Sequence, residues 1–151
     1  MILNDIDNPL PLPDEIRILA IKGLWPGVGG ATNRAIQGLI DWAEFEKLIP
    51  GERELLLKTP PFGTVSKAIR LGSGYWAMPE VVVDQIDPEN TVAIGGLGHG
   101  SDIVLALDYR NSKSNPSLIR LDWVEVNPRE NNRWVCVSSS FGEFCRLIGL
   151  L

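Results

Sequence analysis

Hydrophobic residues fall along this chain in two textures, a helical spacing in the first third and a strand-like one after Gly63. Asn4 to Pro13 holds three prolines and reads as an extended lead-in. Pro13-Asp14-Glu15 sets a proline and two acids at the start of a short helix running to about Lys22, where Gly23 can end it. Trp25-Pro-Gly-Val-Gly-Gly30 is a turn-rich loop. Thr32 then suits the N-cap of a helix over Asn33 to Ile49, with Ile36, Leu39, Ile40 and Ala43 as its apolar stripe. Pro50-Gly51 ends it, and Glu52 to Lys58 reads as one or two further helical turns before Pro60-Pro61.

Beyond Gly63 the pattern predicts strands over Val65–Leu71, Glu80–Ile86 and Thr91–Ile94, the last running into the glycine-rich turn Gly95–Gly100. Asp102-Ile-Val-Leu-Ala-Leu-Asp108 is apolar on both faces and reads as a central strand covered on both sides. Leu118 to Val124 alternates, with Ile119, Leu121 and Trp123 on one face and Arg120 and Asp122 on the other. Trp134 to Val137 is a further core strand. At the end, Ser140-Phe-Gly-Glu143 has capping-box spacing, and Phe141, Phe144, Cys145 and Ile148 repeat on one helical face. Helices first, then strands joined by short loops, then a closing helix predict an α+β fold: a mostly antiparallel sheet flanked by N-terminal helices and a C-terminal helix. The 151 residues fit one domain without internal repeats.

Charge changes this picture in one place. The net charge of −5 argues against nucleic-acid binding, which needs a surplus of Lys and Arg on one face. It suits a basic partner better. From Leu71 to Tyr109 stand Glu80, Asp84, Asp87, Glu89, Asp102 and Asp108 without a single Lys or Arg. Most acidic stretches are solvated faces, but this is the clearest electrostatic asymmetry of the chain. Cys136 and Cys145, nine apart, match neither a metal knuckle nor a redox motif and read as two buried free thiols. With no signal-like N-terminus and no apolar run of membrane-spanning length, the expected location is the cytoplasm.

Candidate chemistry is sparse. Gly27-Val-Gly-Gly-Ala-Thr32 carries Thr at the last position of a dinucleotide loop, and Trp25-Pro26 interrupts the approach from any strand. Gly95–Gly100 precedes a strand rather than a helix, so no helix N-terminus waits there for a phosphate. His99, the only histidine, lies beside Ser101 and Asp102, but catalytic triads are assembled from separate loops. Asp102 and Asp108 stand about 20 Å apart along a strand, beyond the reach of paired carboxylates in sugar hydrolysis. Of the tryptophans, Trp123 and Trp134 read as core, whereas Trp25 and Trp76 fall in loops where exposed Trp serves as an interface anchor. No catalytic residue, cofactor or metal is implied.

The order and spacing of several short blocks carry a resemblance. Ile94-Gly-Gly-Leu-Gly-His-Gly-Ser-Asp102, Ala106-Leu-Asp-Tyr-Arg110, Asn115-Pro116, Leu121-Asp-Trp123, Asn132-Arg-Trp-Val135, Ser140-Phe-Gly-Glu-Phe144 and Leu147-Ile-Gly-Leu150 together resemble the SUKH superfamily, in its Smi/Knr-type branch. Ile40, Glu44, Leu48, Pro50, Glu52 and Leu56 are similar to the helix, proline break and turn that precede them there. The resemblance spans residues 36–151, leaving 1–35 as an N-terminal extension of a single 1–151 domain. It implies a non-enzymatic protein-binding domain. In bacteria such domains are immunity proteins that bind and neutralise a cognate toxin, often a nuclease, and in fungi they are regulatory scaffolds of cell-wall and signalling pathways. A basic toxin would be met by an acidic surface, for which Glu80, Asp84, Asp87, Glu89 and Asp102 are the candidate residues, with Trp76 as apolar anchor. The competing expectations are a scaffold built on the same fold and a small-ligand domain around Gly95–Gly100.

Overall fold

The computed structural model describes residues 2–72, 76, 83–97, 103–123 and 132–151. Five strands form one antiparallel sheet in sequential order: β1 (Leu55–Leu57), β2 (Thr91–Leu97), β3 (Ile103–Asp108), β4 (Ser117–Trp123) and β5 (Asn132–Ser138). Helices α1 (Asp14–Ile21), α2 (Asn33–Gln37), α3 (Trp42–Leu48) and α4 (Val65–Leu71) come before the run from β2 to β5, and α5 (Phe141–Leu147) follows it. The fold is α+β, with helices at both ends of an antiparallel sheet.

Strand β3 is central, and its alternation divides the interior. Leu105 and Leu107 belong to the main core with Trp25, Phe45, Phe62, Phe141 and Phe144. Val104 and Ala106 face a smaller cluster with Val65, Ile86, Ile119 and Leu121. Both faces of the sheet are therefore covered, which is why β3 is buried from Val104 through Asp108. Asp108 tolerates that burial because Arg110 folds back onto it, donating from Nε, Nη2 and its own main-chain N–H.

The closing helix forms as its sequence predicts. Ser140 Oγ accepts the Glu143 N–H, and Phe141, Phe144, Cys145 and Ile148 are all buried. The reciprocal half of the capping box is replaced, however: the Ser140 N–H donates to Ser138 Oγ, while Glu143 pairs with Arg146. Helix α1 likewise starts at Asp14, and Thr32 caps α2 through the Ala35 N–H.

Elsewhere the local pattern is overridden. The single helix expected over 33–49 breaks into α2 and α3. Gly38 closes α2, and the Asp41 carboxylate caps α3 by accepting the Glu44 N–H. The break re-aims the apolar stripe: Ile36 and Ile40 stay buried, Leu39 and Ala43 are exposed, and Phe45 takes the inward position. The helical turns expected over 52–58 are instead strand β1. Its outer edge is closed by two amides one helical turn apart on α2. Gln37 Nε2 donates to the Leu55 carbonyl and Gln37 Oε1 accepts the Leu55 N–H, at 2.6 and 2.9 Å. Asn33 does the same to Leu57, at 3.1 and 2.8 Å. These side chains stand in for a neighbouring strand and block an edge that would otherwise invite pairing.

The strand expected over Val65–Leu71 is helix α4. Thr64 caps it by accepting the Lys67 N–H, and Gly72 ends it at φ +62°, a left-handed conformation suited to glycine. Only Val65 is fully buried, so the segment packs one-sidedly and its remaining apolar residues lie at the surface. The strand expected over Glu80–Ile86 is also corrected where it is described, since 83–86 form a turn leading into the 3₁₀ turn Pro88–Asn90. Strand β2 is longer than expected and continues through Gly95 and Gly96, which pair with β1 and β3 rather than forming a turn. Trp25 is not an exposed loop residue: it is fully buried, donates its indole N–H to the Lys58 carbonyl at 2.8 Å, and packs edge-on against Phe62. Of the two thiols only Cys145 is buried, because β5 is an edge strand and Cys136 lies exposed on it.

Candidate partner-binding surface

The acidic segment is built around the 3₁₀ turn. Asp87 is its cap: one carboxylate oxygen accepts the Glu89 N–H at 3.2 Å and the other accepts the Asn90 amide at 2.7 Å. The Asp87 carbonyl takes the Thr91 hydroxyl at 2.6 Å, which fixes the turn onto the start of β2. Asp87 is thus part-buried and already engaged, whereas Asp84 and Glu89 are exposed on either side of it. Neither Asp84 nor Glu89 takes part in an ion pair among the described residues. Glu80 and Asp102 lie outside the described residues, as do His99 and the 98–102 part of the glycine-rich segment.

Trp76 is half-buried rather than fully exposed. Its ring stacks on Trp134 with centroids 6.2 Å apart and planes 3° from parallel, over the smaller cluster beneath the sheet. This stack places Trp76 against β5, and the Trp134 N–H, which donates to Gln85 Oε1 at 2.8 Å, does the same for Gln85. The structure therefore places Asp84, Asp87 and Glu89 along two successive turns, and Trp76 packs against the smaller cluster that also holds Ile86.

A stretch without bases in the sequence is not without bases in space. Arg110 reaches back to donate to the Gln85 carbonyl at 3.2 Å, and Lys113 donates to Asn90 Oδ1. An open cleft of about 530 Å³ next to the turn is lined by Glu89, Asn90 and Lys113 on one side and by Ser66 and Arg70 of α4 on the other. Its floor is the segment Pro9-Leu10-Pro11, fixed by Asn4 Nδ2 on the Leu10 carbonyl and by the Tyr109 hydroxyl on the Pro11 carbonyl. On the neighbouring flank of α4 lies a smaller pocket of about 130 Å³, lined by Val65, Ala68, Leu71 and Trp76 together with the charged Asp5, Lys58 and Lys67.

The arm that leads into the floor is clamped to α4. Lys67 Nζ meets Asp5 at 2.8 Å and Asp7 at 3.1 Å, and the Asp5 N–H donates to the Phe62 carbonyl. The hydrogen bond from Lys67 holds the Asp5 carboxyl below its usual range, and the same two partners raise Lys67. A strand over 65–71 gives no reason to place Arg70 beside the acidic turn, where helix α4 puts it. The signal that points to the helix is Thr64 three residues before Lys67, closed by Gly72: a cap and a stop with seven residues between them.

Among the described residues no group of three or more His, Cys, Asp or Glu side chains converges as a metal site. No helix among them is long and apolar enough to cross a membrane. Comparison of the chain with protein families, with curated proteins and with solved structures gives no match.

Proposed function

We propose that the chain is a SUKH-like protein-binding domain of the immunity type, which neutralises a basic toxin domain, most simply a nuclease, by covering it with the acidic turn. The observation that carries this reading is the pair Asp84 and Glu89: two exposed carboxylates with no ion-pair partner among the described residues, on either side of Asp87, whose carboxylate caps the 3₁₀ turn. Fixed charges that cost no reordering on contact steer an oppositely charged partner and hold its register. Trp76 supplies apolar area over the smaller cluster beneath the sheet, and Glu80 and Asp102 remain candidate contributors outside the described residues. The exposed basic side chains Arg110 and Lys113 beside the turn are engaged with Asp108, Gln85 and Asn90, which leaves Asp84 and Glu89 as the charges offered to a basic partner in this reading.

The test is stoichiometric inhibition. The basic toxin domain encoded beside this chain, or retained by it from cells of its source, is titrated with the purified protein while its nuclease activity is followed. Loss of activity at one-to-one stoichiometry supports the reading. A partner that binds while its activity is unchanged rejects the immunity function and leaves the scaffold reading in its place.

A further inference from the structure

Asp84 and Glu89, the two exposed carboxylates of the acidic segment, share a local arrangement. Each is followed by an amide residue, Gln85 and Asn90, and each amide accepts hydrogen bonds on both its main-chain and its side-chain carbonyl. The Gln85 main-chain carbonyl takes Arg110 Nη1 at 3.2 Å, and Gln85 Oε1 takes the Trp134 N–H of β5 at 2.8 Å. The Asn90 main-chain carbonyl takes the Tyr109 N–H at 2.9 Å, and Asn90 Oδ1 takes Lys113 Nζ. Three of these donors are themselves anchored. Tyr109 is fully buried, Trp134 lies on a strand paired with β4, and Arg110 is held by the buried Asp108 carboxylate. Between the two amides, Ile86 is buried in the smaller cluster and Asp87 caps the 3₁₀ turn. Gln85 is exposed, where an amide side chain is ordinarily left to water, yet both of its carbonyls are taken.

We infer that Gln85, with Asn90 as its counterpart, is a positioning residue: the two amides set the separation of Asp84 and Glu89 and so select partners whose Lys and Arg side chains stand at the matching separation. This rests on the acidic turn being the surface that meets a basic partner. Charge alone draws in any basic protein, since steering acts over a screening length of about 8 Å at physiological salt and does not read spacing. Spacing is read at contact, where a carboxylate already in place costs no ordering and one that must be brought into register does. The amides therefore govern the lifetime of the complex, and the carboxylates the rate at which it forms. Gln85 gives the cleaner test. Asn90 also bonds Asp87 inside the 3₁₀ turn, so its loss disturbs the turn itself. Gln85→Ala removes the side-chain tie to β5 but keeps the main-chain bond to Arg110 and the buried Ile86 beside it.

The first measurement needs no partner. By nuclear magnetic relaxation of the isotope-labelled protein, the Asp84 and Glu89 amides should give order parameters near about 0.85, and Gln85→Ala should bring the Asp84 value down toward about 0.6 while leaving Glu89 unchanged. Gln85→Glu keeps an acceptor for the Trp134 N–H and should restore the Asp84 value. The second measurement compares the basic domain titrated in the inhibition test with hexalysine, a flexible polycation that adapts to any spacing. Gln85→Ala should raise the dissociation rate of the domain about three- to tenfold, leave the salt dependence of its association as it was, and leave the affinity for hexalysine unchanged. Gln85→Glu should return the dissociation rate to the parent value, whereas Asp84→Lys with Glu89→Lys should weaken both probes. An Asp84 order parameter that does not respond to Gln85→Ala, a dissociation rate that does not rise, or equal weakening of hexalysine overturns the inference. If the parent protein binds no basic domain, the toxin reading fails and partner selection with it, and the amide measurements then decide the positioning role alone.

Discussion

Replacing Gly95 by Ala places a methyl group 2.5 Å from the Leu56 carbonyl oxygen and 3.3 Å from both the Leu56 carbonyl carbon and Leu57 Cα. All three atoms are backbone of β1, so no side chain can swing aside. To restore an ordinary contact the two strands must part by about 0.7 Å, the gap between 2.5 Å and roughly 3.2 Å. Strand β1 has nowhere to go, because the Asn33 and Gln37 amides hold its other edge through four hydrogen bonds. Overpacking costs about 1–3 kcal/mol, and stretching one or two main-chain bonds adds about 1 kcal/mol each. The lower chain entropy of Ala in the unfolded state returns about 0.5–1 kcal/mol. The balance is a loss of about 2–3 kcal/mol, read as a lower urea midpoint with unchanged slope. Gly38→Ala is the control: it sits in right-handed helical conformation with its nearest contact at 3.4 Å, and should be neutral or slightly stabilising. Gln37→Ala frees β1, so Gly95→Ala should cost less in that background. If Gly95→Ala unfolds within about 0.5 kcal/mol of the parent, or if its cost is the same with and without Gln37, the reasoning about a clamped edge strand is wrong.

Other substitutions and conditions test separate parts of the structure. Gly142→Ala brings its methyl to 2.1 Å from Glu15 Oε1, but that is the far end of a flexible side chain; a loss under about 1 kcal/mol is expected, abolished by Glu15→Ala in a thermal denaturation series. The Asp5–Lys67 contact lowers Asp5 from its ordinary value of 3.8, so its contribution is present above that pH and is lost as pH falls through the depressed folded value. Stability curves of the parent and Lys67→Met should therefore differ near neutrality and converge in acid; parallel curves would refute the assignment. In the native protein one thiol, the exposed Cys136, should react with a thiol reagent, while burial both shields Cys145 and pushes its thiol pKa up; both react after unfolding. Tyr109→Phe removes the bond to the Pro11 carbonyl and should cost about 1 kcal/mol, with increased proteolytic cleavage near the N-terminal arm.

Legibility along the chain followed the strength of local signals. The closing helix was plain because cap, stripe and burial agree, and β3 because an apolar run flanked by carboxylates suits a strand covered on both faces. The segments misread were those whose form is set by distant partners. Leu55-Leu56-Leu57 becomes a strand because β2 lies on one side and two α2 amides on the other, neither of which is visible in three leucines. Val65–Leu71 holds β-branched residues, yet Thr64 and Gly72 provide a start and a stop that outweigh them. Gly95 and Gly96 look like turn residues, but Gly95 is there because β1 passes too close for any side chain. Trp25 was hidden by its setting among turn residues: its indole N–H satisfies a β1-flanking carbonyl, so the loop folds inward over the core.

The candidate surface was legible only in part. Asp84, Asp87 and Glu89 do lie along two successive turns, but the structure gives them unequal work, since Asp87 caps the 3₁₀ turn while Asp84 and Glu89 face water. Sequence proximity also concealed the bases that folding brings beside them: Arg70, Arg110 and Lys113 come from outside the acidic run. Linear charge counts miss such neighbours because chain reversal, not spacing, decides which charges meet.

Association kinetics with the basic partner, followed by stopped flow as ionic strength is raised, test the central proposal most directly. The account predicts a fast rate at low salt that falls steeply with added salt, and a slower rate with a flatter dependence for Asp84→Lys with Glu89→Lys. Identical rates and salt slopes for the parent and the double variant would contradict it.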